Sequence, residues 1–202
     1  MKLVDLVKEL DYTLRQGSLS TEVNGIYYDS RKVQKGGLFV CITGTQRDSH
    51  DLARECAEKG ASVIVIQREI QLEPLGGVTI LQVDKSRKAL AILSAAFFGW
   101  PARKMTMIGV TGTKGKTTTT HLIKGVLEAA GRKVGMIGTN GVSYGDVHQE
   151  TINTTPESYE LQRIFSQMLE AGCDTVVMEV SSQGLMLDRV AGIRFDVGVF
   201  TN

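Results

Sequence analysis

Short apolar runs alternate with stretches of helical periodicity along the first hundred residues. The apolar runs predict four strands, at 25–28, 38–42, 62–67 and 78–83. A helix is predicted at 52–59, between the second and third strands. A stronger helix is predicted over 85–98, where the apolar residues of one face are Ala89, Ile92, Leu93, Ala96 and Phe97. The N-terminal stretch 1–10 also has an amphipathic helical pattern, in which charges interrupt every apolar run.

The pattern changes after Gly99-Trp100-Pro101, which ends the helix and predicts a domain boundary near residue 100. Regular strand–loop–helix units follow it. Their predicted strands are 104–111, 134–137, 175–180 and 195–200. Helices are predicted at 115–130, closed by Gly131, and at 157–171. Nearly continuous apolar strands separated by helices indicate a parallel sheet covered on both faces.

The predicted fold class is therefore α/β. We expect a small N-terminal α/β domain over 1–100, followed by the start of a second, parallel-sheet domain over 101–202. The second unit stops directly after a predicted strand. We therefore expect the chain to be a fragment of a longer protein, with this second domain truncated at its C-terminus.

Composition excludes some classes of partner. The 202 residues include 23 Lys and Arg and 22 Asp and Glu, which give a net charge of +1. This balance leaves no excess positive charge of the kind that indicates binding to nucleic acid or to an anionic membrane. No apolar run approaches the length of a membrane span, and the N-terminus lacks the pattern of a signal peptide. The three cysteines are scattered, which favours reduced thiols in a cytoplasmic protein.

The stretch VTGTKGKTT at 110–118 follows an apolar strand and opens a helix, the context of a phosphate-binding loop. Val110 stands where the pattern G-x-x-x-x-G-K-[ST] requires glycine, and the glycines do not match G-x-G-x-x-G either. The context still favours phosphate, because N–H groups at a helix start point outward with the positive end of the dipole. Lys116 would reach the β- and γ-phosphates of a bound nucleotide, and the Thr117 hydroxyl would ligate Mg²⁺. The alternative is a glycine-rich connection with a purely structural role. The four threonines that open the helix disfavour this alternative, because threonine is a poor helix former.

The apolar stretch TVVMEVSS carries Glu179 near the C-terminal end of its strand, where open α/β sheets bind ligands. A buried carboxylate needs a cationic partner, and a Mg²⁺ shared with the phosphates would provide one. The alternative is a glutamate at a strand edge that faces solvent.

The segment NTTPES at 153–158 has two interpretations that can coexist. In the structural one, Thr155 caps a helix, Pro156 occupies its first position and Glu157 complements the dipole. In the functional one, the helix start contributes to ligand binding. The segment YDSRKVQKGGLFV at 28–40 is, taken alone, a strand, a polar turn and a second strand.

Together these segments resemble the Mur ligase family, the ATP-dependent ligases of peptidoglycan precursor synthesis, whose G-T-x-G-K-[TS] motif is matched by residues 112–117. The D-S-R, N-T-T-P and M-E-V-S-S segments favour the UDP-N-acetylmuramoyl-tripeptide synthetase branch of that family. The resemblance implies that residues 1–100 are a UDP-substrate-binding domain and that residues 101–202 are the start of a P-loop-type parallel-sheet ATPase domain. It also implies an ATP-binding loop formed by Gly112, Thr113, Lys114, Gly115, Lys116, Thr117 and Thr118. Within it, the role of Lys114 stays open, because relatives often carry asparagine there.

The resemblance also implies roles outside the loop. Lys116 and Glu179 would be catalytic, and Thr117 and Glu179 would ligate Mg²⁺. The residues implied to bind the UDP-linked substrate are Ser30, Asn153, Thr154, Thr155, Ser181 and Arg189. Gln183 departs from the family, in which histidine is frequent at that position.

The implied reaction is ATP-driven amide formation through an acyl phosphate. The substrates would be UDP-N-acetylmuramoyl-L-alanyl-D-glutamate and a diamino acid such as meso-diaminopimelate or L-lysine. We expect a monomeric enzyme of the bacterial cytoplasm, and we expect the 202-residue chain alone to be inactive in ligation. Two alternatives stay open: a folylpolyglutamate synthetase-like ligase and a non-catalytic nucleotide-binding homologue.

Overall fold

The computed structural model describes residues 1–44, 48–70 and 77–202. The chain divides into two compact units, Met1–Phe97 and Phe98–Asn202. The division falls just before the Gly99-Trp100-Pro101 segment, at which the sequence predicts a boundary. Each unit is built around its own sheet. In the described ranges, none of the helices combines the length and the apolar character that a bilayer crossing needs.

The first unit has a five-stranded sheet with helices packed against it. Its elements are α1 (Leu3–Leu6), β1 (Thr13–Gln16), β2 (Ile26–Tyr27), β3 (Leu38–Val40), α2 (Ala53–Glu58), β4 (Val63–Ile66), β5 (Thr79–Gln82) and α3 (Ser86–Phe97). The strand order is β1-β5-β4-β3-β2. All neighbours are parallel except β1, which runs antiparallel to β5.

The predicted strands and helices of this unit are confirmed, with three differences. The helical pattern at 1–10 is realised only at Leu3–Leu6. The strand β1 was not predicted, because its sequence TLRQ is largely exposed and has no run of apolar residues. The helix α3 is buried around most of its circumference rather than on one face, since even Ser86 and Ser94 have no exposed area.

The second unit has a six-stranded sheet in the order β11-β6-β10-β7-β8-β9. Its elements are β6 (Thr106–Thr111), α4 (Lys116–Ala129), β7 (Val134–Gly138), β8 (Gly141–Tyr144), β9 (Val147–Gln149), α5 (Ser158–Glu170), β10 (Thr175–Glu179), α6 (Ser182–Met186) and β11 (Val197–Phe200). The strands β11, β6, β10 and β7 are parallel, whereas β8 and β9 are antiparallel additions.

Alternating residues of β6 and β10 enter two separate cores, one on each face of the sheet. One core packs against α5 and includes Met107, Val176, Met178, Leu161 and Phe165. The other packs against α4 and includes Ile108, Val110, Val177, Ile123 and Leu127. The prediction of a parallel sheet covered on both faces is thus confirmed for its central strands.

The parallel register brings two segments with predicted roles, the loop after β6 and the residue Glu179, to the carboxyl end of the sheet. β10 lies beside β6, with Glu179 opposite Val110, so the carboxyl ends of both strands are level. The loop that follows β6 therefore leaves the sheet next to the last residue of β10. Open α/β sheets bind their ligands outside this edge.

Candidate nucleotide and metal site

The loop between β6 and α4 ends in a helix start suited to anions. Gly115 is the N-cap of α4 and has φ 82°, in the left-handed region that favours glycine. The hydrogen-bond ladder of the helix begins with Thr119 N donating to Gly115 O at 2.9 Å. The amides of residues 116–118 precede that ladder, so they are available to a phosphate at the positive end of the helix dipole.

Lys116 lies across the loop. Its Nζ donates to the carbonyl oxygen of Gly112 over 2.7 Å, and the residue is half-buried. The ammonium group is therefore already held above the turn that the phosphates would occupy. Lys114, by contrast, is exposed, and its side chain forms no hydrogen bond or ion pair with another described residue.

Glu179 is a buried carboxylate with neutral partners. The residue is 1% exposed. Its Oε1 accepts the backbone N–H of Thr139 over 2.9 Å, and its Oε2 accepts the Thr139 hydroxyl over 3.3 Å. Among the described residues, no lysine or arginine forms an ion pair with it. A buried charge that is hydrogen-bonded but not neutralised favours a cation beside it, and the alternative of a solvent-facing glutamate is wrong.

The same carboxylate occupies the space where a side chain at position 138 would begin. A Cβ built on Gly138 would overlap Oε1 of Glu179 and lie 2.9 Å from its Cδ. Gly138 therefore makes the space in which the carboxylate lies against the Thr139 amide. The sequence shows this segment only as MIGTNG, whose apolar start reveals a strand but not its contact with Glu179.

The residues at this edge fit Mg²⁺. Within the described ranges, no group of three His, Cys, Asp or Glu side chains could hold a metal ion by itself. Mg²⁺ is usually bound by one or two protein oxygens together with substrate phosphates and waters, rather than by a full protein cage. Glu179 and the hydroxyl of Thr117 supply hard oxygen ligands of this kind.

The segment at 153–155 packs against the same strand end. The hydroxyls of Thr154 and Thr139 lie 3.1 Å apart. Thr155 is fully buried, donating its hydroxyl to Glu179 O over 3.0 Å and accepting Ser181 N over 2.9 Å. Thr139, which was not singled out from the sequence, therefore connects the carboxylate to this segment.

The predicted capping role of Thr155 is wrong. The helix α5 begins at Ser158, and its N-cap is Glu157, whose side chain accepts Ser158 N over 3.1 Å. The Thr155 hydroxyl is already committed between the Glu179 carbonyl and the Ser181 amide. It therefore positions the strand end, and substrate contact through its side chain stays a prediction.

Arg189 and Ser181 also have structural partners in the second unit. Arg189 is 9% exposed; its Nη1 donates to Thr155 O over 2.9 Å, and its Nε lies 3.7 Å from a carboxylate oxygen of Glu157. Ser181 is the N-cap of α6 and accepts Gly184 N over 3.0 Å. Their predicted contact with substrate stays a prediction, as does that of the exposed Asn153.

We expect Arg189→Met to destabilise the protein by about 2 kcal/mol, because it removes a charged hydrogen bond to a buried carbonyl. Thermal unfolding followed by circular dichroism measures this loss. Arg194→Met is the matched control, since Arg194 is exposed, and it should leave the melting temperature unchanged. Equal melting temperatures for the two variants would contradict a structural role for Arg189.

Ser30 belongs to the first unit, in the short 3₁₀ helix Ser30–Lys32. The helix is capped by Asp29, whose side chain accepts Arg31 N over 3.0 Å. The side-chain hydrogen bond from Arg31 lowers the pKa of Asp29 to about 2, against the opposing effect of burial. The Ser30 carbonyl accepts a hydrogen bond from Lys59 Nζ over 3.0 Å. The predicted contact of Ser30 with the UDP-linked substrate stays a prediction.

The three cysteines are buried free thiols. Burial raises the pKa of the Cys56 thiol to about 11, and it raises the pKa values of Cys41 and Cys173 as well. Because the thiolate is the reactive form, these groups are inert core residues near neutral pH.

Two family models match the chain. The Mur ligase middle domain matches residues 110–202, and the catalytic domain of the Mur ligase family matches residues 22–98. The chain belongs to the Mur ligase family. The first match begins at the end of β6 and contains the loop at 112–115, which we call the phosphate loop for its predicted role, together with Glu179 and the segment at 153–155.

Curated Mur ligases are similar over the whole chain. A UDP-N-acetylmuramoyl-L-alanyl-D-glutamate--2,6-diaminopimelate ligase from Clostridium perfringens is 44% identical over 202 residues, which are 100% of this chain and 41% of the relative. A ligase of the same name, numbered 1, from Clostridium acetobutylicum is 46% identical over 202 residues, 100% of this chain and 42% of the relative. The chain thus spans about two fifths of the length of these relatives.

A solved structure of a UDP-N-acetylmuramoyl-L-alanyl-D-glutamate--2,6-diaminopimelate ligase has the same fold. Its TM-score is 0.80 at 21% identity, over 100% of this chain and 40% of that structure. At this identity the likeness concerns the fold, and it agrees with the α/β class predicted from the sequence.

Proposed function

We propose that the protein is an ATP-dependent ligase that adds 2,6-diaminopimelate to UDP-N-acetylmuramoyl-L-alanyl-D-glutamate in the bacterial cytoplasm. The observation that carries this proposal is the buried carboxylate of Glu179, level with the end of β6 where the loop to Lys116 begins, which no lysine or arginine in the described ranges neutralises. The names of the similar ligases support the choice of substrates. The free cysteines are consistent with a reducing compartment.

The loop residues would bind the triphosphate of ATP. The amides at the start of α4 would hold phosphate oxygens, and Lys116 would move from the Gly112 carbonyl to the β- and γ-phosphates. Thr117 and Glu179 would hold Mg²⁺, with Thr139 fixing the carboxylate. When bound, the metal ion would supply positive charge that offsets the phosphate oxygens.

The proposed reaction has two steps. A carboxylate of the UDP-linked substrate attacks the γ-phosphorus, ADP leaves, and an acyl phosphate forms. The amine of the diamino acid then attacks the acyl carbon, the C–O bond to phosphate breaks, and an amide, inorganic phosphate and a proton are released. The residues of this chain serve the first step, in which catalysis consists mainly of positioning and charge stabilisation.

Two alternatives are less well supported. A folylpolyglutamate synthetase-like ligase would share the phosphate loop, but the match of residues 22–98 to a Mur ligase model disfavours it. A non-catalytic nucleotide-binding homologue would share both the fold and the site, but the similarity of the whole chain to proteins named as ligases disfavours it.

A ligation assay tests the proposal. The enzyme, expressed at the full length of its relatives, receives Mg-ATP, the UDP-linked dipeptide and meso-diaminopimelate, and tripeptide product is measured by mass spectrometry. We expect product with meso-diaminopimelate and none with tetrahydrofolate and glutamate. The 202-residue chain alone serves as the control and should form no product. Ligation of the folate substrate, or no ligation by the full-length enzyme, would overturn the proposal.

A further inference from the structure

The residues that follow β11 hold the phosphate loop. Thr201 donates its backbone N–H to Thr111 O over 3.0 Å. Its hydroxyl lies 2.6 Å from Lys114 O and 3.1 Å from Thr111 O. Thr113 N donates to Asn202 O over 3.0 Å. This two-residue segment thus contacts the backbone of the loop at three positions.

Gly112 is shaped to accept Thr201. Its φ is 136°, a backbone conformation that side chains disfavour. A Cβ at this position would overlap the Thr201 hydroxyl and lie 2.9 Å from Asn202 N. The loop and the end of β11 therefore fit together without room for a side chain at position 112.

We propose that Thr201 is a positioning residue for the phosphate loop. This proposal rests on the nucleotide-binding function proposed above. A carbonyl oxygen turned toward a bound phosphate would repel it, because the oxygen carries a partial negative charge and the phosphate is an anion. The Thr201 hydroxyl binds the Lys114 carbonyl on the side of β11, and the Thr201 amide does the same for Thr111. Both carbonyls are thereby kept away from the anion, and the loop is arranged before the nucleotide arrives.

The role predicts a specific effect on nucleotide affinity. Thr201→Val keeps the shape of the side chain and removes the hydroxyl, whereas Thr201→Ser keeps the hydroxyl. Loss of this hydrogen bond should raise the Kd of Mg-ADP about tenfold in Thr201→Val, while Thr201→Ser stays within about threefold of the wild type. Isothermal calorimetry on the purified protein measures these constants, and thermal unfolding without nucleotide measures stability.

Thr106→Val is the matched control, because Thr106 lies at the opposite, amino end of β6. It should leave the Kd unchanged. Equal affinity of the wild type and Thr201→Val would overturn the positioning role while leaving nucleotide binding intact. A weakened affinity that Thr201→Ser does not restore would also overturn it. If the wild type itself fails to bind nucleotide, the proposed function fails, and the positioning role fails with it.

Discussion

Lys116→Ala should lower the kcat/KM of the proposed ligase about a thousandfold, the scale of removing a group that stabilises charge in a transition state. In the structure the ammonium reaches back over the loop to the Gly112 carbonyl, 2.7 Å away, which places it where the phosphates of ATP would lie. ADP release in a coupled assay, measured with the full-length enzyme, gives both kcat and KM.

The same change should leave the fold intact. The bond from Lys116 to Gly112 is a local contact, so its loss should cost about 1 kcal/mol of stability at most. Lys133→Ala is the matched control, because Lys133 is exposed just before β7, at the edge of the sheet opposite the loop. It should keep wild-type turnover. Near-normal turnover by Lys116→Ala would overturn the assignment of the loop.

The parts of the fold with strong apolar patterns could be predicted from sequence. Strands β6, β10 and β7 lie inside the sheet, where burial on both faces demands continuous apolar residues, and the pattern shows this directly. The strands β1 and β9 are the outermost strands of their sheets, and their residues are mostly exposed. No pattern of apolar residues therefore marks them in the sequence. The short helix α6 spans only five residues, too few for a periodic pattern.

The candidate site also contains residues that the sequence could indicate and residues that it could not. Lys116 and Glu179 were predictable because each belongs to a short motif whose chemistry is local. Thr139 and Thr201 were not, because they act on residues far along the chain. Thr139 reaches Glu179 across 40 residues, and Thr201 reaches Thr111 across 90. Only the parallel strand order brings these pairs together, and sequence periodicity does not specify that order.

Glu179→Gln should separate stability from function. The wild-type carboxylate is 1% exposed and receives hydrogen bonds only from the neutral groups of Thr139 among the described residues. A buried charge without a counter-ion is costly, whereas a glutamine of the same shape can still accept the Thr139 amide. In the absence of metal and nucleotide, the variant should therefore melt at the same temperature as the wild type or higher.

With Mg²⁺ and nucleotide present, the wild type should melt at a higher temperature than Glu179→Gln. Ligand binding stabilises a protein in proportion to the logarithm of ligand concentration over Kd, so the wild type should gain several degrees and Glu179→Gln much less. Turnover should fall about a thousandfold, because the neutral amide ligates Mg²⁺ poorly. Glu170→Gln, an exposed position in the last turn of α5, should behave as the wild type in both assays.

Three results would distinguish the possible roles of this carboxylate. A Glu179→Gln variant that melts well below the wild type without ligands would show that the charge serves the fold. One that keeps the full thermal gain from Mg²⁺ and nucleotide would show that the metal is bound elsewhere. Only unchanged or raised stability combined with a lost response to Mg²⁺ fits a carboxylate held ready by Thr139 for a cation. The structure predicts this combination because Glu179 is buried and, in the part of the chain that the structure describes, its carboxylate has only the neutral donors of Thr139.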